Sequence, residues 1–165
     1  MSNISMTTSK RNAIVTVMLI SAFVSMLNQT ILNTALPAII KGLNITETTA
    51  QWLITGFMLV NGIMIPLTAF LMDKYSTRHL YIFSMAIFLI GSIVAAFSPT
   101  FTILMISRII QAIGAGILLP LMQFTVFTLF PAEQRGFAMG LAGVVVQSAP
   151  AIGPTLTGLF VDLFS

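Results

Sequence analysis

The sequence predicts an all-α membrane protein with five transmembrane helices. Hydrophobic residues make up 57% of its 165 residues and charged residues only 7%, whereas a soluble domain carries roughly 25% charged residues. Apolar stretches recur along the chain with brief polar breaks, and each is close to the roughly 20 residues that cross a bilayer as a helix. The composition argues against a soluble enzyme and against nucleic-acid binding.

The polar breaks set the expected limits of each span. The first span follows Lys10 and Arg11 and exceeds the apolar core of a signal peptide, which is about 7 to 15 residues long, so we expect it to be retained. Pro37 is expected to end it. Residues 1–12 are predicted to form a cytoplasmic tail and residues 13–165 one partial bundle. The predicted helices cover residues 13–36, 49–72, 80–97, 100–124 and 136–164.

The basic residues predict the orientation of the spans. If the N terminus is cytoplasmic, Lys41 is the only loop base on the outer side, as the positive-inside rule requires. We therefore expect a multi-pass protein of the cell membrane, surrounded by lipid, with a cytoplasmic N terminus. Five spans leave the two ends on opposite faces, which indicates an incomplete bundle. The bases expected inside are Lys10, Arg11, Lys74, Arg78 and Arg135.

A charged loop separates the second and third spans. Lys74 and Arg78 by themselves fit a positive-inside anchor, but topology does not require the acid Asp73. An acid at a cytoplasmic helix end can pair with Arg78 and with the positive N terminus of another helix. Such pairing would hold one conformation closed, so we predict a gate at this loop.

Arg108 and Gln111 form a polar pair inside the fourth span. They lie one turn apart on one helix face, and a charge within a span is expected to face the bundle interior. The alternative is that Arg108 snorkels toward the outer interface. An inward arginine would lower the proton affinity of a neighbouring carboxylate, which suggests proton coupling. No metal site is expected, because His79 is the single histidine and the chain has no cysteine.

Neutral polar side chains in the first two spans are candidates for a substrate cavity. Asn28, Gln29 and Asn33 lie in the first span and Asn61 in the second. Hydrogen bonding between helices explains each of the three in the first span equally well, and Asn61 is the weaker candidate. Asn28 offers only neutral hydrogen bonds and no carboxylate chemistry.

Two stretches are similar to motifs of membrane transporters. The loop 69–78 is similar to Gly-x-Leu-x-Asp-Arg-x-Gly-Arg-Arg, with both glycines replaced. Residues 108–116 are similar to Arg-x-x-Gln-Gly-x-Gly, with alanine for the first glycine. The loop retains Leu71, Asp73, a base at Lys74, and Arg78.

Two further stretches follow related patterns. Residues 27–37 are similar to Leu-Asp-x-Thr-Ile-Val-Asn-Val-Ala-Leu-Pro, but Asn28 replaces the acid. Residues 140–158 are similar to Gly-x8-Gly-x3-Gly-Pro-x2-Gly-Gly, in which small residues allow close helix packing. Ordinary glycine packing is the alternative reading of that stretch. The positions retained in it are Gly140, Gly153, Pro154 and Gly158.

With these four motifs in order, the chain resembles the N-terminal part of a major facilitator superfamily transporter. The branch it resembles is that of the multidrug proton antiporters, of the fourteen-helix drug exporter type. The resemblance implies alternating access, export of amphipathic small molecules, a proton gradient as the energy source and no cofactor. It also implies that the loop latches onto C-terminal helices missing from this sequence.

Two alternatives to drug export stay open. The chain could be a truncated membrane fragment that does not transport, or that acts only as a helical interaction partner. It could also belong to a major facilitator carrier of another solute, although such a carrier should lack the Gly153-Pro154 element. Catalysis is not expected, because the sequence has neither paired carboxylates within the spans nor a phosphate-binding loop.

Overall fold

A computed structural model describes residues 7–164, with side-chain surroundings described as far as Gly158. Across the described residues the chain forms five helices and no strand, which confirms the predicted fold class. All five helices are long and apolar enough to cross a membrane. Their bounds are α1 Thr8–Leu43, α2 Glu47–Lys74, α3 Thr77–Ala96, α4 Phe101–Leu129 and α5 Ala132–Phe164.

Most helices extend beyond the limits expected from hydropathy. The prediction that Pro37 ends the first helix is wrong, because α1 continues through it to Leu43. Lipid offers no other partner for freed backbone groups, so a helix tolerates an internal proline there. α1 ends instead where Asn44 takes the left-handed conformation, with φ of 50°, and its N–H bonds the Ile40 carbonyl. Hydropathy detects only the lipid-crossing part of a helix.

The first helix also begins before the predicted span. α1 begins at Thr8, so the second half of the predicted tail, residues 1–12, is largely helical, and residues 1–6 lie outside the described part. At the same end of the bundle only Phe130 and Pro131 separate α4 from α5, and the Phe130 ring lies 4.4 Å from Cζ of Arg11. Hydroxyl caps fix two of the other helix starts: Thr46 accepts from the N–H of Thr49 at 3.2 Å, and Thr100 caps α4 in the same way.

The fourth helix is the centre of the bundle. Within its most apolar stretch 56% of the residues are buried, against 22% to 28% in the other helices. α4 packs against α1, α2 and α3, while α5 packs mainly against α1. Large apolar side chains on the outer helices remain exposed, as a lipid-facing surface requires. Examples are Leu59, Leu89, Ile63 and Val144.

A glycine allows α3 and α4 to approach closely. A Cβ atom placed on Gly114 would lie 2.6 Å from the Ser84 carbonyl oxygen and 2.9 Å from the Phe88 nitrogen. Backbone atoms cannot move aside as a flexible side chain can, so only glycine fits at this crossing. Small residues at helix crossings permit the backbone packing that holds helices together in lipid. The close contact places the polar residues of α3 beside those of α4.

Candidate functional site: a buried arginine network

Arg108 lies inside the bundle, with 0% of its surface exposed. It is the eighth residue of α4, about 10 Å along the helix from its start. The Arg108 side chain therefore does not extend to the membrane interface, as the alternative had required. A charged side chain at the centre of a membrane costs at least about 2.5 kcal/mol, so the surrounding residues have to compensate the guanidinium.

Neutral amide oxygens provide the hydrogen bonds to this guanidinium. Nη1 of Arg108 donates to Oδ1 of Asn28 at 3.2 Å and to Oε1 of Gln111 at 2.9 Å. The Gln111 amide then donates from Nε2 to Oγ of Ser92 at 3.0 Å, and Ser92 donates to the Phe88 carbonyl at 2.8 Å. We call Asn28, Ser92, Arg108 and Gln111 the arginine network. It connects α1, α3 and α4.

An aromatic ring from α2 also contacts the guanidinium. The Cζ atom of Arg108 lies 4.2 Å from the centroid of the Phe57 ring, and Phe57 is itself only 1% exposed. A desolvated cation over an aromatic face is stabilised by about 2 kcal/mol or more. Four of the five helices thus contribute a side chain to the surroundings of one guanidinium.

The fifth helix approaches the first through Gly153. A Cβ atom on Gly153 would lie 2.6 Å from Cγ2 of Thr30, so glycine is needed for this approach of α5 to α1. Gly140 and Gly158 have no atom within 4 Å of such a Cβ position, and Pro154 is exposed. Of the three glycines predicted from the helix-five motif, Gly153 alone packs tightly in the described part of the bundle.

The predicted cavity residues have different surroundings. Asn28 belongs to the arginine network. Gln29, the next residue in the chain, is half-buried, and Asn33 is exposed. Asn61 is half-buried on α2 and lies against Gly116 of α4. The structure therefore brings one of the four together with Arg108 and Gln111.

The predicted gating loop is at the surface. Asp73, Lys74 and Arg78 are exposed, and Leu71 is half-buried against the main apolar core. Lys74 Nζ lies 4.4 Å from the centroid of the Phe70 ring. Neither this contact nor the Ser76–His79 hydrogen bond of 2.6 Å involves Asp73 or Arg78. The pairing expected between those two is not among the contacts of the described residues.

Two members of the site were missed by sequence reasoning. Ser92 could have been found, because it is a polar residue within the apolar third span. Phe57 carries no such signal, since phenylalanine is common throughout the chain. The acids with described side chains, Glu47, Asp73 and Glu133, are all exposed and lie near helix ends. Within the described part of the chain, no cluster of His, Asp or Glu could hold a metal ion.

Comparisons with known proteins agree with the motifs. Residues 18–165 match the family described as the Major Facilitator Superfamily. An uncharacterized MFS-type transporter of Bacillus subtilis, YcnB, is 55% identical over 155 residues, which cover 94% of this chain and 33% of that protein.

Two relatives carry names that refer to drug resistance. The lincomycin resistance protein LmrB of Bacillus subtilis is 44% identical, over 88% of this chain and 30% of its own length. The probable multidrug resistance protein EmrY of Escherichia coli is 35% identical, over 88% of this chain and 28% of its own length. The chain thus spans about a third of the length of the curated relatives it matches.

Replacing Gln111 tests whether the network stabilises the bundle. Gln111→Leu removes one acceptor from Nη1 of Arg108 and the donor to Ser92, so the free energy of unfolding should fall by about 1–3 kcal/mol. Gln123→Leu is the matched control, because Gln123 lies on the same helix but is exposed. Thermal unfolding in detergent micelles measures both. Equal shifts in the two variants would contradict a stabilising network.

Proposed function

The chain belongs to the major facilitator superfamily, and from this premise we propose that it forms most of the N-terminal bundle of a longer transporter. That transporter exports drugs or other amphipathic small molecules by alternating access. The drug-resistance names of its relatives support export of this kind. The observation that carries the proposal is the buried Arg108 at the junction of four helices, because ionisable residues inside spans mark substrate and ion pathways.

The loop between α2 and α3 acts as a gate in this proposal. Asp73 lies at the end of α2, exposed and adjacent to Lys74. Its carboxylate is therefore available to a helix N terminus or a base from outside the described bundle. Helices beyond this chain supply that partner, and the contact holds the cytoplasmic side closed during part of the cycle.

A proton gradient drives export in this proposal. The network around Arg108 contains only neutral acceptors. Asn28 replaces the acid of the related motif, and its amide cannot carry a proton as a carboxylate would. The acids with described side chains lie near the helix ends. The proton carrier in this proposal therefore lies outside the described side chains, and Arg108 acts on it or on the substrate through its charge.

The N terminus is cytoplasmic in this proposal. Lys10 and Arg11 near the start of α1, Lys74 and Arg78 at the α2–α3 connection, and Arg135 at the start of α5 share one end of the bundle if the helices alternate in direction. The opposite end has only Lys41 near its connections. Cytoplasmic loops carry the excess of Lys and Arg.

Labelling of single cysteines tests this orientation. The chain has no cysteine of its own, so Ser98→Cys and Ser76→Cys add unique thiols at opposite ends of α3 in a transporter without other reactive cysteines. A membrane-impermeant maleimide should label Ser98→Cys in intact cells and Ser76→Cys only after permeabilisation. The reverse pattern would overturn the orientation.

Vesicle uptake tests the transport proposal in the complete protein. Energised inverted vesicles should accumulate at least one member of a panel of amphipathic dyes, such as cationic rhodamine 6G, neutral Nile red and anionic dansyl-phenylalanine. A protonophore should abolish the accumulation. Absence of uptake across the panel argues against export, and uptake insensitive to the protonophore argues against proton coupling.

An isosteric change at Asp73 tests the gate in the same assay. Asp73→Asn should lower the initial rate of uptake roughly tenfold, which corresponds to about 1.4 kcal/mol in the barrier. Glu133→Gln is the matched control, because Glu133 is also an exposed acid near the same end of the bundle. Equal rates in wild type and Asp73→Asn would remove the gate from the mechanism.

A further inference from the structure

One edge of the Arg108 guanidinium is enclosed in the bundle without a partner among the described residues. Nη1 makes both of the hydrogen bonds described above, whereas Nε and Nη2 are buried and bond no atom of the described residues. Nε–H and one N–H of Nη2 lie on the same edge and point in parallel, so they form a two-pronged donor. Buried donors are normally paired, and this unpaired edge therefore indicates a ligand.

Among the described side chains, no acid gives Arg108 a counter-charge. Its contacts are the neutral amides of Asn28 and Gln111 and the ring face of Phe57. The described acids are exposed near the helix ends. An anionic group on the free edge would supply both the missing acceptors and the missing negative charge.

The shape of the free edge selects among anions. A carboxylate places two oxygens opposite two parallel N–H groups and forms the bidentate pair that arginine favours. A halide offers a single point of contact, and a lipophilic cation would be repelled. We propose that Arg108 binds a carboxylate group carried by the transported molecule, so that the complete transporter exports amphipathic organic acids. This inference rests on the export function proposed above and names its substrate class.

An apolar cluster lies beside the network. Phe57, Phe88, Ala112 and Ala115 form it, and an apolar body attached to the carboxylate would contact these side chains once the substrate enters. Asn28 is half-buried on α1, so the network is partly accessible at that residue. Rocking of this bundle against the rest of the transporter during alternating access would expose Asn28 to the substrate.

A matched pair of probes tests the proposal in the purified complete transporter. Dansyl-phenylalanine carries the carboxylate, and dansyl-phenylalaninamide has the same body with a neutral amide in its place. Fluorescence titration should show the acid binding at least about tenfold tighter than the amide, as expected for a charge-assisted bidentate contact. Equal affinities in wild type would overturn the proposal. Another part of the protein that already occupied the free edge would give this same result.

Two substitutions assign the preference to the arginine fork. Arg108→Lys keeps the charge without the fork and should reduce the preference for the acid several-fold, and Arg108→Gln should abolish it. Lys10→Gln is the control, because it removes an exposed cation and should leave the preference unchanged. A preference that persists in both Arg108 variants would show that the carboxylate is recognised elsewhere.

A measurement on wild type covers the case in which an Arg108 variant does not fold. The acid should raise the midpoint of thermal unfolding at concentrations where the amide does not, and equal shifts would count against the proposal. Failure here is distinguishable from failure of the export function. Uptake of rhodamine 6G or Nile red by vesicles, without a preference for the acid, would retain export and remove only the assigned substrate class.

Discussion

A positive charge enclosed by apolar helices has to be compensated by its neighbours, and the arrangement around Arg108 follows from that constraint. The guanidinium has no exposed surface, so its hydrogen bonds and ring contact replace the hydration it would have in water. These contacts come from α1, α2 and α4 directly and from α3 through Gln111. Positions of four helices are thereby linked, which makes α4 the centre of the bundle as well as its most buried element.

Helix number and type follow from composition and hydropathy, but the helix ends do not. Apolar runs identify residues that cross lipid, whereas a helix continues until a cap or a turn ends it. α1 shows the difference, because its helix passes Pro37 and ends at the left-handed Asn44. The cost of an unpaired backbone group in lipid outweighs the local effect of one proline. Local residue preferences alone therefore underestimate the helix lengths.

The candidate site was predictable where a residue type is unusual for its surroundings. A charge within an apolar span identified Arg108, and its spacing identified Gln111. Phe57 and Gly114 could not be assigned in this way, because their roles depend on which helices meet. Gly140 and Gly158 show the converse, since they fit a packing motif but face no neighbour among the described residues. Helix pairing is a property of the whole bundle, and a single sequence shows it only where polar groups require a partner.

The most direct test of the central claim is a double-mutant cycle between Arg108 and Phe57. Unfolding free energies in detergent micelles would be measured for Arg108→Met, Phe57→Leu and the double variant. If the buried charge organises its surroundings, loss of the ring should cost less once the charge is absent, with a coupling energy of about 1–2 kcal/mol. Additivity within about 0.5 kcal/mol would mean that the ring and the charge stabilise the bundle independently, and would contradict the claim.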